Sequence, residues 1–175
     1  MTEYHGKLRL VLKHMVVHPQ QVMNAHLAAC AAAKQGKFHE FSKAFWAGAF
    51  KPYSEQRDPS FLAEENVLKI AGGVGLDLAR LAVDMPMCQQ VIQADEAELG
   101  KFKVDGTPAF FINGEFVSGG IPKEKFKQYI DQKLAIAEKS GVPAAEYYDK
   151  EIRGKGEKSV ERPRPRATAP KPAGR

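Results

Sequence analysis

The sequence predicts an α/β fold: one strand, a block of several helices, a β-hairpin and a closing amphipathic helix. Three observations carry that order. Residues 7–17 form a Leu- and Val-rich run with partial alternation, residues 19–101 repeat their apolar positions at helical spacing, and residues 108–118 return to a two-residue period around Asn113-Gly114.

Lys7–Val17 places Leu8, Leu10 and Leu12 on one face and Val11 and Met15 on the other. This reads as a strand covered on both faces by helices. His18-Pro19 ends it, with His18 in the position of a local cap and Pro19 suited to the first turn of a helix reaching about Gln35. That helix is rich in alanine, which suits close packing, and Gly36 stops it. Phe38, Phe41, Phe45 and Trp46 then recur at helical spacing and are expected to pack into the core. Residues 51–59, with Pro52 and Pro59, are expected to form a loop. Asp58-Pro59 opens the next helix as cap and first helical residue, with Phe61, Leu62, Leu68 and Ala71 inward, and Gly72, Gly73 and Gly75 close it. Two further helices are expected, Leu76–Val83 and Pro86–Lys101. Pro108–Asn113 and Glu115–Ser118 are the hairpin strands, joined by the Asn-Gly turn. Lys123 to about Ala137 is a helix with Phe126, Tyr129, Ile130 and Leu134 on one face.

Three segments follow as domains: residues 1–137 as the main unit, 138–153 as a short extra helix, and 154–175 as a basic, Pro-rich tail too poor in apolar residues to bury a core. The net charge of +5 belongs to that end. Residues 150–175 hold nine Lys/Arg against three Asp/Glu, and the remainder is close to neutral. A basic tail touches anionic surfaces by charge alone, but no aromatic residue follows Tyr148, which argues against nucleic acid as a partner. No apolar run reaches the length of a membrane span, and the start reads without a basic region followed by an apolar one. As written, the sequence is therefore expected in the cytoplasm.

Several stretches together resemble the DsbA-like thioredoxin family. They are Lys7–His14, the alanine-rich Ala25–Phe38, Gly75-Leu76-Asp77, and above all Val104-Asp105-Gly106-Thr107-Pro108-Ala109-Phe110-Phe111-Ile112-Asn113-Gly114. The resemblance covers about residues 4–137 and implies a thioredoxin-like fold with a helical insertion. It also implies that Thr107 and Pro108 form a substrate-binding loop, with a cis bond before the proline and a backbone that pairs with extended polypeptide. Members of the family are thiol–disulfide oxidoreductases acting on protein cysteines, usually outside the cytoplasm, where disulfides persist. A truncated start would reconcile that location with this sequence.

One part of the pattern does not match. In the family a first strand runs into Cys-x-x-Cys at a helix start, and neither Cys30 nor Cys88 has a partner two residues away. The expected fold is thus incomplete at its N-terminal β-α unit, and the redox dithiol is absent from these residues. Without such a pair there is no activated thiolate and no resolving thiol. Three explanations stand side by side: a fragment of a longer chain, a domain completed by a partner or by self-association into a homodimer, and a local rearrangement in which residues 138–153 fill the vacated space.

Two functional readings follow. One is an oxidoreductase whose catalytic residues lie outside these 175, and the other is a non-catalytic module that binds peptides or a partner protein. Neither calls for a cofactor. Cys30 reads as a small buried hydrophobe and Cys88 as a partly buried inert thiol, a Cys30–Cys88 bond being the functional alternative for the pair. His14 and His18 are four apart on a strand-to-turn segment, where that spacing does not make a metal face.

Overall fold

A computed structural model describes residues 2–160 of the chain. After a short 3-10 turn at Thr2–Tyr4, the elements are α1 (Pro19–Lys34), α2 (Phe38–Phe45), α3 (Lys51–Gln56), α4 (Glu64–Gly73), α5 (Leu78–Lys101), β1 (Ala109–Ile112), β2 (Glu115–Ser118), α6 (Lys123–Lys139) and α7 (Ala144–Tyr147). The result is mostly helical, with one antiparallel two-stranded sheet among the described residues.

The core lies between α1 and its neighbours. Ala28, Ala31 and Ala32 of α1 have no exposed surface, and they pack with Phe41, Val67, Ala71 and Leu81 from α2, α4 and α5. Methyl-sized side chains let the neighbouring helices approach α1 closely, while Phe41, Leu81 and Ile92 supply the volume. Each of these larger side chains contributes about 1.5–3 kcal/mol by leaving water.

Helix ends follow local chemistry. Gly36, at φ +72°, closes α1: its N–H donates to Ala33 O and that of Lys37 to Ala32 O. Gly75, also at φ +72°, closes α4 in the same way, with Leu76 N–H donating to Ala71 O. Lys37 reinforces that end by donating from Nζ to the Val74 and Gly75 carbonyls. Asp58 caps Pro59–Leu62 by accepting from Ser60 N–H, but the helix expected from Pro59 onward is only a 3-10 turn there, and extended Ala63 separates it from α4. His18 stands at the cap position of α1, but its side chain makes no capping bond.

Four expectations need correction. First, Lys7–Val17 is not a strand. Residues 8–12 run extended without a backbone hydrogen bond among the described residues. Alternation provides the faces of a strand, but a ladder needs a neighbour, and the only sheet described is the hairpin. Leu10, Val11 and Leu12 consequently remain exposed.

Second, residues 51–56 are helical. Lys51 N–H donates to Trp46 O, five residues back, in a π-helical stretch Trp46–Phe50 that joins α2 to α3. The wider turn relieves the clash that the Pro52 ring would make in a regular helix. Third, α5 is a single helix of 24 residues with Pro86 inside it. Pro86 is exposed between the buried Met85 and Cys88. The solvent side of a curved helix tolerates a lost hydrogen bond best.

Fourth, Trp46 is 60% exposed, while Phe41 alone of the expected aromatic stripe is fully buried. Trp46 instead meets Phe50 edge-on at 4.4 Å between ring centroids, a pairing that the π turn creates.

The hairpin is a separate small layer. Asn113 (φ 45°) and Gly114 (φ 88°) take the two left-handed positions of the turn, which sets Phe110 opposite Val117. Phe110 meets Phe126 of α6 at 4.9 Å, and Val117 is buried beside it. Phe111 turns the other way, toward Phe102 and Phe116, and stays 44% exposed.

Residues 3–16 tie the two layers together. Tyr4 Oη donates to Asp131 and Lys7 pairs with Glu138, both on α6. The Arg9 guanidinium lies 4.0 Å over the Tyr148 ring, just after α7. Tyr148–Arg153 continues as a π-helical turn, and Val160 N–H returns to Lys101 O. Most of the basic tail, residues 161–175, lies outside the described residues.

Candidate functional site

Thr107 and Pro108 sit where α5 has ended and the hairpin begins. The helix stops through a motif like those of α1 and α4, but with Lys103 in the left-handed position (φ 51°) instead of glycine. Residues 104–107 then lead to β1. The Thr107–Pro108 peptide bond is cis. Both residues are exposed, and Pro108 O accepts from Gly119 N–H at 2.8 Å, anchoring the loop to the far end of β2. Among the described residues, neither the N–H nor the C=O of Thr107 has a hydrogen-bond partner. The loop therefore offers one free donor and one free acceptor at Thr107, four residues before the half-exposed Phe111 of β1.

The two cysteines meet elsewhere. Cys30 and Cys88 form a disulfide that joins the C-terminal half of α1 to the middle of α5, with 5.9 Å between Cα atoms. This corrects the expectation of two inert buried thiols. It is the bond named as the alternative for the pair, and small side chains at 28, 31 and 32 bring the two helices within bonding reach across a separation of 58 residues. Cys30 is 6% exposed and Cys88 has no exposed surface. Thiol exchange needs access for an attacking sulfur, so this bond is placed as a staple rather than as a redox couple.

The histidines also sort differently from their spacing. His14 meets His26 of α1, not His18: the two Nδ1 atoms are 3.1 Å apart. His14 N–H donates to Asp95 Oδ2, and Lys13 Nζ donates to Asp95 Oδ1, both at 2.9 Å. Burial holds the His14 imidazole below its ordinary pKa, against an opposing pull from Asp95. Burial, then the neighbouring His14, do the same to His26, with Glu96 opposing. Hydrogen bonds to Asp95 and Glu98 raise Lys13. No group of three or more His, Cys, Asp or Glu side chains among the described residues is disposed to hold a metal ion.

A family model for the DSBA-like thioredoxin domain matches residues 1–131. This chain belongs to that family. The match takes in the extended N-terminal segment, the whole helical block, the Thr107–Pro108 loop, the hairpin and the start of α6. The DSBA-like chain thus has the helical insertion and the hairpin–helix unit of an α/β thioredoxin-like fold, with only two strands paired among its described residues. Comparisons with curated proteins and with solved structures give no match. No described helix is long and apolar enough to cross a membrane.

Proposed function

We propose that this DSBA-like chain serves thiol–disulfide exchange on protein cysteines by binding extended polypeptide at Thr107–Pro108, with the redox dithiol contributed from outside its 175 residues. The observation that carries the reading is the exposed loop itself. Thr107 has an unused backbone donor and acceptor, in a family whose members act on polypeptides through this position. A bound chain would satisfy both groups as an added strand does, and Phe111 would meet its side chains. Cys30–Cys88 takes no part in exchange in this reading, because both sulfurs are enclosed.

The dithiol would come from a segment joined to this chain or from a separate subunit. In either case the unladdered run at Leu10–Leu12 is a suitable seam for a neighbouring strand. A trapping experiment tests the reading. Native cells are quenched in acid, free thiols are alkylated, and the protein is isolated without reductant for intact mass and peptide mapping. The reading expects a Cys-x-x-Cys peptide in the same chain or in a stoichiometric companion. A homogeneous 19.3 kDa species with no such companion overturns the exchange role.

A second reading is favoured by one observation: both cysteines are consumed in a buried disulfide. On that reading the chain is a non-catalytic module that holds a peptide or partner protein at the same loop, or a second copy of itself at the Leu10–Leu12 run.

A further inference from the structure

We propose that the His14–His26 contact is an acid-sensitive latch that holds residues 13–16 against α1 and α5 and lets them go when both imidazoles are charged. His14, 7% exposed, is the one buried residue of the extended segment, and its neighbours Leu10, Val11, Leu12 and Val17 are exposed. The segment therefore depends on a few polar anchors. His14 Nδ1 faces His26 Nδ1 at 3.1 Å, in an edge-on arrangement with ring centroids 5.4 Å apart. The other anchors all end on α5: His14 N–H on Asp95, Lys13 Nζ on Asp95 and Glu98, and Val16 N–H on Glu96.

The chemistry of two facing Nδ1 atoms sets the switch. A hydrogen bond between them uses one N–H and one lone pair, so one ring donates and the other accepts. A first added proton goes to the outward Nε2 of the donating ring, and the N–H···N bond persists with a charge behind it. A second added proton goes to the accepting ring and removes the lone pair, either at Nδ1 itself or after a change of tautomer. Two imidazolium rings then face each other in a mostly buried space.

The charged groups around the pair are Asp95 and Glu96 from α5, together with Lys13 from the segment. Asp95 already serves Lys13 and the His14 amide, so it cannot turn to neutralise a second charge without giving up a bond. Imidazole is the side chain whose charge ordinarily changes near about pH 6.5, so the window for release lies below about that value. Within that window the Cys30–Cys88 bond keeps α1 and α5 joined, so only the segment is released.

Hydrogen exchange of the whole chain tests this, read at the His14 and Val16 amides and corrected for the intrinsic pH dependence of exchange. Protection at these two amides is expected to fall about tenfold or more between about pH 7.5 and 5, while α1 and α5 amides keep theirs. His26→Gln, which cannot take the second charge, is expected to abolish the transition. The proposal is overturned if wild-type protection at these amides is flat with pH, or if the same transition persists in His26→Gln, which would show that it does not need the second imidazole. Nitrogen-15 shifts of the two wild-type imidazoles give a readout independent of any variant. Two coupled titration steps are expected, and two independent steps near pH 6.5 also overturn it.

Discussion

Reducing the Cys30–Cys88 bond is the most informative perturbation of the fold. Reduction keeps both sulfurs in place and removes only the cross-link, so packing and cross-link can be told apart. The bond closes a loop with a sequence separation of 58. By chain entropy, such a loop restricts the unfolded state by about 14 cal/mol/K, or about 4 kcal/mol at 25 °C. With a urea slope of about 2 kcal/mol/M, the unfolding midpoint should fall by about 2 M on reduction. The assay is a pair of urea titrations followed by circular dichroism, with and without reductant. The double variant Cys30→Ala/Cys88→Ala should fall further, because it also loses buried sulfur from the core. The reduction rate is a second readout. Both sulfurs are enclosed, so dithiothreitol should act slowly on the folded chain and much faster as urea opens it. A midpoint that hardly moves, or a bond reduced rapidly in the native state, would refute the assignment of a structural staple.

Other outcomes follow from single residues. Phe41→Ala should cost about 3–5 kcal/mol in chemical denaturation, whereas Trp46→Ala, at an exposed site, should cost well under about 1 kcal/mol. Lys103→Gly should stabilise the chain by about 0.5–1 kcal/mol, because it relieves a left-handed backbone at the end of α5; a loss of stability would contradict that cap geometry. Asp77→Ala should cost about 1 kcal/mol, since Asp77 caps α5 through Arg80 N–H. Acidification should also destabilise the fold. Burial lowers the pKa of both His14 and His26, so the unfolded chain takes up protons first as pH falls. Stability from this source is complete above about pH 6.5 and is lost below it, and denaturant midpoints from about pH 8 to 5 check the sign.

Local chemistry in the sequence carried further than its long-range pairing. Pro19, Gly36, Asp58-Pro59 and Gly75 set helix ends through contacts a few residues long, and Asn113-Gly114 set the hairpin register in the same way. The strand expected at Lys7–Val17 failed because a ladder depends on a distant neighbour, which no alternation can supply. Pro52 and Pro86 looked like breakers, but a π turn accommodates one and the solvent face of a long helix the other. The Cys30–Cys88 bond stood only as the alternative to two free thiols, because its separation in sequence gave no reason to bring the pair together. Its only signal was indirect: an alanine-rich helix that lets another helix come close. His26 was missed as the partner of His14 for the same reason, since an extended segment and a helix have no common period. The cis bond before Pro108 was legible only through the family resemblance, because no local pattern distinguishes a cis from a trans proline at the start of a strand.

The binding role of that loop is tested most directly by amide chemical shifts of the isotopically labelled 175-residue chain, titrated with an unfolded polypeptide whose cysteines are reduced and alkylated. Alkylation removes exchange chemistry and leaves only binding. Perturbations centred on Asp105, Gly106, Thr107 and Ala109 and spreading into Phe111, strongly weakened in Pro108→Ala, are the predicted result. Perturbations confined to the aromatic pair of exposed Trp46 and half-buried Phe50, with the loop unmoved and Pro108→Ala without effect, would contradict it.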